Sequence, residues 1–195
     1  MNRGTIGIAG CSTAKWLAAC AALALVTIAA PAAASERTYM FAIDEIRGAS
    51  DVPERVSREI RTRLGTAIEG HDRLVAELPA DAPDPKTEPE RFERFMQARN
   101  MRAYNVHMEL TSYRAEVTEQ PDPDPGHVVT VHIGLRLFGE GIPRPTMDFS
   151  GDGSATVQVP TGRRVRSRDR AHAHQTAIRM AVSEAIETSL RELDR

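Results

Sequence analysis

Two stretches of this chain alternate apolar and polar residues with a period of two. Tyr104, Val106, Met108 and Leu110 alternate with Asn105, His107, Glu109 and Thr111. Val129, Val131, Ile133, Leu135 and Leu137 alternate with Thr130, His132, Gly134 and Arg136. Side chains on a strand point to opposite faces in turn, so each stretch predicts a strand with one buried face. Gln120 to Gly126, which holds Pro121, Pro123 and Pro125, joins them, and the two predict an antiparallel hairpin. A third strand is expected from Met147 to Val159, with a bulge or bend at Gly151-Asp152-Gly153.

Helical spacing marks other segments. Val56, Ile60, Leu64, Ala67 and Ile68 form one stripe, with Pro53 in the first turn and Gly70 as the stop. Ile178, Val182, Ala185, Ile186, Leu190 and Leu193 form another within a helix from about Asp169 to Leu193. Ala177 and Ala181 lie beside that stripe and allow close approach to a sheet. A short helix is expected through Phe92, Phe95, Met96 and Arg99. Tyr39 to Ile46 and Leu74 to Leu78 read as shorter strands, and the proline-rich stretch 79–89 as a loop. The order is β-α-β-α-β-β-β-α. It predicts a single α+β domain with a mainly antiparallel sheet and helices packed on one face.

The first 34 residues read differently. An uninterrupted run from Trp16 to Ala30 follows Arg3 and Lys15, and Pro31 and Ala32-Ala33-Ala34 end it. This is the pattern of a secretory signal peptide cleaved near Ala34. The run has 15 residues, short of the roughly 20 that a spanning helix needs. The expected organisation is a signal peptide, 1–34, and one domain, 35–195, released to the periplasm or the extracellular space. Cys11 and Cys20 both lie in the leader, so the mature domain has no thiol chemistry. Each cysteine follows a lipobox-like tripeptide, but the long apolar run follows Cys20 instead of preceding it. Membrane attachment is expected only if one of them is lipidated.

Two of the 25 basic residues and none of the 27 acidic ones lie in the leader. The remainder is therefore mildly acidic, which argues against a nucleic-acid binder. Against that background, five arginines fall within eight residues: Arg163, Arg164, Arg166, Arg168 and Arg170. If the segment is extended, Arg164, Arg166 and Arg168 share a face suited to an acidic partner, an anionic lipid or a phosphate-bearing glycan. The simpler expectation is a solvated connector before the last helix.

No catalytic, cofactor or metal signature is legible. His172 and His174 are two apart, and on a helix they point roughly 200° from each other. His107, His132 and Glu109 share the polar face of the hairpin and would suit zinc if the register brought them together. Asp122 to Gly126 starts like a calcium loop, but Ile133 stands where the bidentate Glu belongs. Gly151-Asp152-Gly153-Ser154 opens no helix, so it is no phosphate cradle.

The element order resembles a family of bacterial envelope domains. Its members include the amino-terminal domain of the Tol translocation protein, the periplasmic part of the curli secretion channel and the lipoprotein activators of penicillin-binding proteins. Arg102 to Leu110 looks like the opening of that family's central hairpin, Val129 to Phe138 like the partner strand, and Ala177 to Ile186 like the closing alanine-rich helix. The resemblance implies a non-enzymatic interaction or assembly module with protein partners in the envelope, and it transfers no site residue. The alternatives are a small exported hydrolase or metal-dependent enzyme on the His107/His132 face, and a binder of anionic lipid or glycan.

Overall fold

A computed structural model describes residues 36–47, 52–120, 126–162 and 164–195. The elements are β1 (Thr38–Arg47), α1 (Glu54–Glu69), β2 (Leu74–Val75), α2 (Pro89–Ala98), β3 (Met101–Gln120), β4 (Gly126–Gly141), β5 (Met147–Thr161) and α3 (Ser167–Leu193). This is the α+β order that the hydrophobic pattern predicts. The five strands form one sheet in the order β2-β1-β3-β4-β5. β1 runs parallel to both β2 and β3. The β3-β4 and β4-β5 pairs are antiparallel.

The alternation decides which face is which. Tyr104, Val106, Met108 and Leu110 of β3 and Val129, Val131, Ile133, Leu135 and Leu137 of β4 are all buried in the main core. They share it with Val56, Ile60, Leu64 and Ile68 of α1 and with Ile178, Val182, Ile186 and Leu190 of α3. These two helices therefore cover one face of the sheet. The short helix α2 has its own small cluster, Phe92 and Met96 with Met40 and Ala103. Met40 lies between Tyr39 and Phe41, which belong to the main core, so α2 caps part of the opposite face.

The expected break in the third strand does not occur. β5 pairs with β4 continuously through Gly151 and Gly153. These glycines instead let α3 lie directly on the strand. A Cβ at Gly151 would sit 2.6 Å from the Ala185 carbonyl oxygen and 2.6 Å from the Ser189 nitrogen. At Gly153 it would overlap the Ala181 carbonyl oxygen. Alanines on the helix and glycines on the strand thus form one seam. Glu184 of α3 also accepts a hydrogen bond from the Ser154 N–H at 2.7 Å, which occupies a donor on this edge strand.

A bulge lies elsewhere. The β3-β4 register shifts between Leu110 and Ser112, where Ser112 pairs with Gly134. A Cβ on Gly134 would meet the hydroxyls of both Thr111 and Ser112 at 2.5–2.7 Å, so the bulge needs a glycine opposite it. At the far end of the domain, Arg73 grips Asp194 through two hydrogen bonds of 2.9 and 2.6 Å. The Tyr39 hydroxyl donates to the same carboxylate at 3.0 Å, tying β1 to the end of α3.

Candidate functional site

The arginine segment is fixed at two points. Val165 packs against the main core, leaving its neighbours Arg164 and Arg166 exposed. Asp169 then accepts a hydrogen bond from the Arg166 N–H at 2.9 Å. α3 starts at Ser167, earlier than the sequence pattern suggests. Arg168 and Arg170 therefore ride on its first turn, and the extended face of Arg164, Arg166 and Arg168 does not form. Arg163 lies outside the described residues.

The four described arginines are all exposed. Arg168 lies 3.7 Å from the Asp169 carboxylate. Among the described residues, Arg164, Arg166 and Arg170 have no ion pair. Their charges stand at the positive end of a helix, where side-chain cations add to the helix dipole instead of opposing it. The arrangement costs helix stability and concentrates positive potential.

Arg170 also reaches a cleft of about 480 Å³ between the starts of α1 and α3. Arg55 and Glu59 of α1 line it, with Tyr113 of β3 and His174 of α3. The His174 ring stacks on Tyr113 at 5.9 Å. Burial holds the His174 imidazole below the ordinary histidine range, with Glu59 pulling upward and Arg55 downward. Burial likewise pushes the Tyr113 phenol up. Both rings therefore act as neutral walls, and the charge of the rim comes from Arg55, Arg170 and Glu59. No local pattern in the sequence signals that Arg55 lines the same cleft as Arg170, more than a hundred positions away.

The histidine pair of the hairpin is not assembled. His107 pairs with Phe138, and His132 pairs with Arg114. His132 and Phe138 are six positions apart on one strand, about 20 Å. His132 instead bridges three strands, with Nε2 3.0 Å from Ser112 Oγ and Nδ1 2.9 Å from Thr156 Oγ1. His107 is half-buried beside Phe138, ring centroids 5.2 Å apart, with the Glu140 carboxylate 3.9 Å away. The register thus leaves unformed the His107/His132/Glu109 grouping that the metal-dependent alternative needs. No group of three His, Cys, Asp or Glu among the described residues is placed to hold a metal. His172 is exposed while His174 is half-buried, as their spacing on a helix requires. The acidic loop 122–125 and the leader lie outside the described residues.

No family model matches the chain, and no curated protein matches its sequence. Solved structures with a similar course include a minor lipoprotein from Acinetobacter baumannii (TM-score 0.42, 4% identity, 80% of this chain and 93% of that one). A neuraminyllactose-binding hemagglutinin homolog from Helicobacter pylori gives a TM-score of 0.42 at 12% identity over 82% of this chain and 83% of its own. A DUF330 protein from Xanthomonas campestris gives 0.46 at 11% identity over 81% and 87%. Likenesses this distant leave function to be argued from the chain's own residues.

Proposed function

We propose that this chain is an exported domain of the bacterial cell envelope that acts by binding, and that it meets an acidic protein partner through the arginines at the start of α3. The observation that carries the reading is the exposure of Arg164, Arg166, Arg168 and Arg170, the last of which shares a cleft with Arg55. Of the four, only Arg168 has an ion pair among the described residues. An acidic chain with a locally positive surface is suited to steering an oppositely charged partner onto that surface. Screening over about 8 Å at physiological ionic strength confines the attraction to this neighbourhood. Export is supported by the apolar leader and the alanines before Ser35.

Changing Arg164, Arg166 and Arg168 together to Gln tests the reading. The fold should hold, since exposed substitutions usually shift stability within about 0.5 kcal/mol. Crosslinking in the native envelope, followed by identification of the captured chains, should show acidic partners lost from the variant, most clearly at low salt. If an equally stable variant keeps every partner at every salt concentration, the arginines form only a connector. If capture is unchanged but binding to phosphatidylglycerol vesicles falls, the surface reads anionic lipid instead.

A further inference from the structure

A second cleft, of about 440 Å³, opens at one end of the sheet. The starts of β1, β3 and β5 meet the end of β4 there, with Thr38 beside Met101, Tyr104 opposite Gly141 and Glu140 opposite Met147. Its walls are α2 and the turn after β4, which contains the cis peptide bond Ile142-Pro143. Arg37 and Arg102 stand two positions before Tyr39 and Tyr104 on neighbouring strands, so both start out on the face that carries those tyrosines.

The charged groups of this cleft differ in how they are occupied. Arg144 is engaged by Glu93 at 3.1 Å. Asp148 accepts a hydrogen bond from the Thr146 hydroxyl at 2.8 Å. Arg37 and Arg102 are exposed and have no ion pair among the described residues. Beneath them lies Tyr104, only 1% exposed, its ring fixed edge-on by Phe149 at 5.3 Å and Phe41 at 6.2 Å. Its hydroxyl is buried and makes no hydrogen bond of ordinary geometry; the Arg102 guanidinium, itself only a donor, approaches it, which leaves the phenol proton without an acceptor. Native proteins satisfy nearly all such groups, and Tyr39 next to it does so through Asp194. Burial raises the Tyr104 phenol above its ordinary range, while Arg102 and then Arg37 act in the opposite direction. The group therefore keeps its proton and remains a donor.

We infer that this cleft binds the oxyanion group of a small organic molecule, held between the Arg37 and Arg102 guanidiniums and completed by the Tyr104 hydroxyl. Two unpaired guanidiniums supply charge-assisted donors of the geometry that carboxylate and phosphate oxygens take. The cleft volume falls within the range of small-molecule sites, about 300–1,000 Å³. Ile142 and Pro143, both half-buried, offer the body of the ligand an apolar rim. The Tyr104 proton, which has no acceptor among the described residues, is the donor left for an anion that enters beside Arg102. This site uses none of the arginines of the α3 surface.

The experiment is an amide NMR titration of the full chain, purified as the cell leaves it. Sodium acetate and inorganic phosphate are the probes, at ionic strength matched with sodium chloride. Saturable shifts are expected at Ala103, Tyr104, Gly141 and Thr146. The acetate and phosphate arms rank carboxylate against phosphate as the recognised group. Arg37→Gln and Arg102→Gln should each raise the half-saturating concentration about tenfold or more. Tyr104→Phe should raise it a few-fold while leaving thermal stability unchanged or higher. Arg164→Gln should not alter it, which separates this site from the α3 surface. Shifts that fail to saturate with either probe up to about 100 mM, a concentration well beyond millimolar affinity, would overturn the inference. So would saturation that survives Arg102→Gln unchanged, or a half-saturation that Tyr104→Phe does not move.

Discussion

At the scale of single residues, glycines in this chain do opposite jobs. Gly153 lets the backbone of α3 approach β5, and a methyl group there has nowhere to go. Gly153→Ala should cost about 1–3 kcal/mol through forced displacement of the helix. Gly65, inside α1, has open space around its Cα, and Gly65→Ala should stabilise by about 0.5–1 kcal/mol. Urea unfolding of the two variants checks both signs. The sequence alone could not tell Gly153 from a bulge, because a glycine within a strand signals either a kink or a close approach. Only the alanines at 177, 181 and 185 hinted at the second.

Asp194 gives the corresponding test of charge. The Arg73 guanidinium, above all, holds its carboxyl below the ordinary carboxylate range, with the Tyr39 hydroxyl adding to this. A lowered folded value means that the unfolded chain binds the proton first. The stabilisation is thus complete above the unfolded value, about pH 4, and is lost as pH falls through the lower folded one. Asp194→Asn should therefore flatten the acid limb of stability against pH, measured as Tm from about pH 5 to pH 2. A slope identical to that of the parent would show that the Arg73–Asp194 contact does not contribute in solution.

At the scale of elements, alternation and helical spacing carried most of the fold. The hairpin, the α1 stripe and the α3 stripe were legible because one face of each is buried and the other is not. Ile133 and Val182 belong to the core that these elements share. Replacing either with Ala should cost about 1–4 kcal/mol, the larger loss at Ile133, where more carbon is removed. Chemical denaturation measures it, and changes of a few tenths at both positions would mean that these faces do not meet. The register of the hairpin was not legible. His107 and His132 share a polar face, and nothing local fixes how far one strand slides along the other. The register and the Thr111–Ser112 bulge set them apart. The start of α3 was misread for a related reason. Arg166 to Arg168 have no apolar periodicity, and the helix begins where Asp169 can cap it.

At the scale of the whole molecule, neither cleft has a sequence motif, because each is assembled from distant segments. Arg37 and Arg102 line one cleft because β1 lies parallel to β3, and Arg55 and Arg170 line the other because α1 and α3 share a sheet face. The arginine run was visible as composition; its partners were not. Export belongs to this scale too. Intact-mass measurement of protein from its native envelope should find a mature chain beginning at Ser35. A diacylglycerol adduct on Cys11 or Cys20 would instead mark a lipid-anchored protein.

The interior place of β1 in the sheet also bears on how this chain is made. Its first strand carries the buried residues Tyr39, Met40 and Phe41, and its main neighbour β3 starts more than fifty residues after β1 ends. A chain that emerges amino end first, at about 5–20 residues per second, presents this apolar strand for several seconds before its partner exists. Before β3 emerges, only the two residues of β2 can pair with the backbone of β1, while α1 and α2 can cover its faces. The sheet therefore cannot close until the second half of the chain arrives, which leaves the backbone of this early segment a natural handle for a holding chaperone.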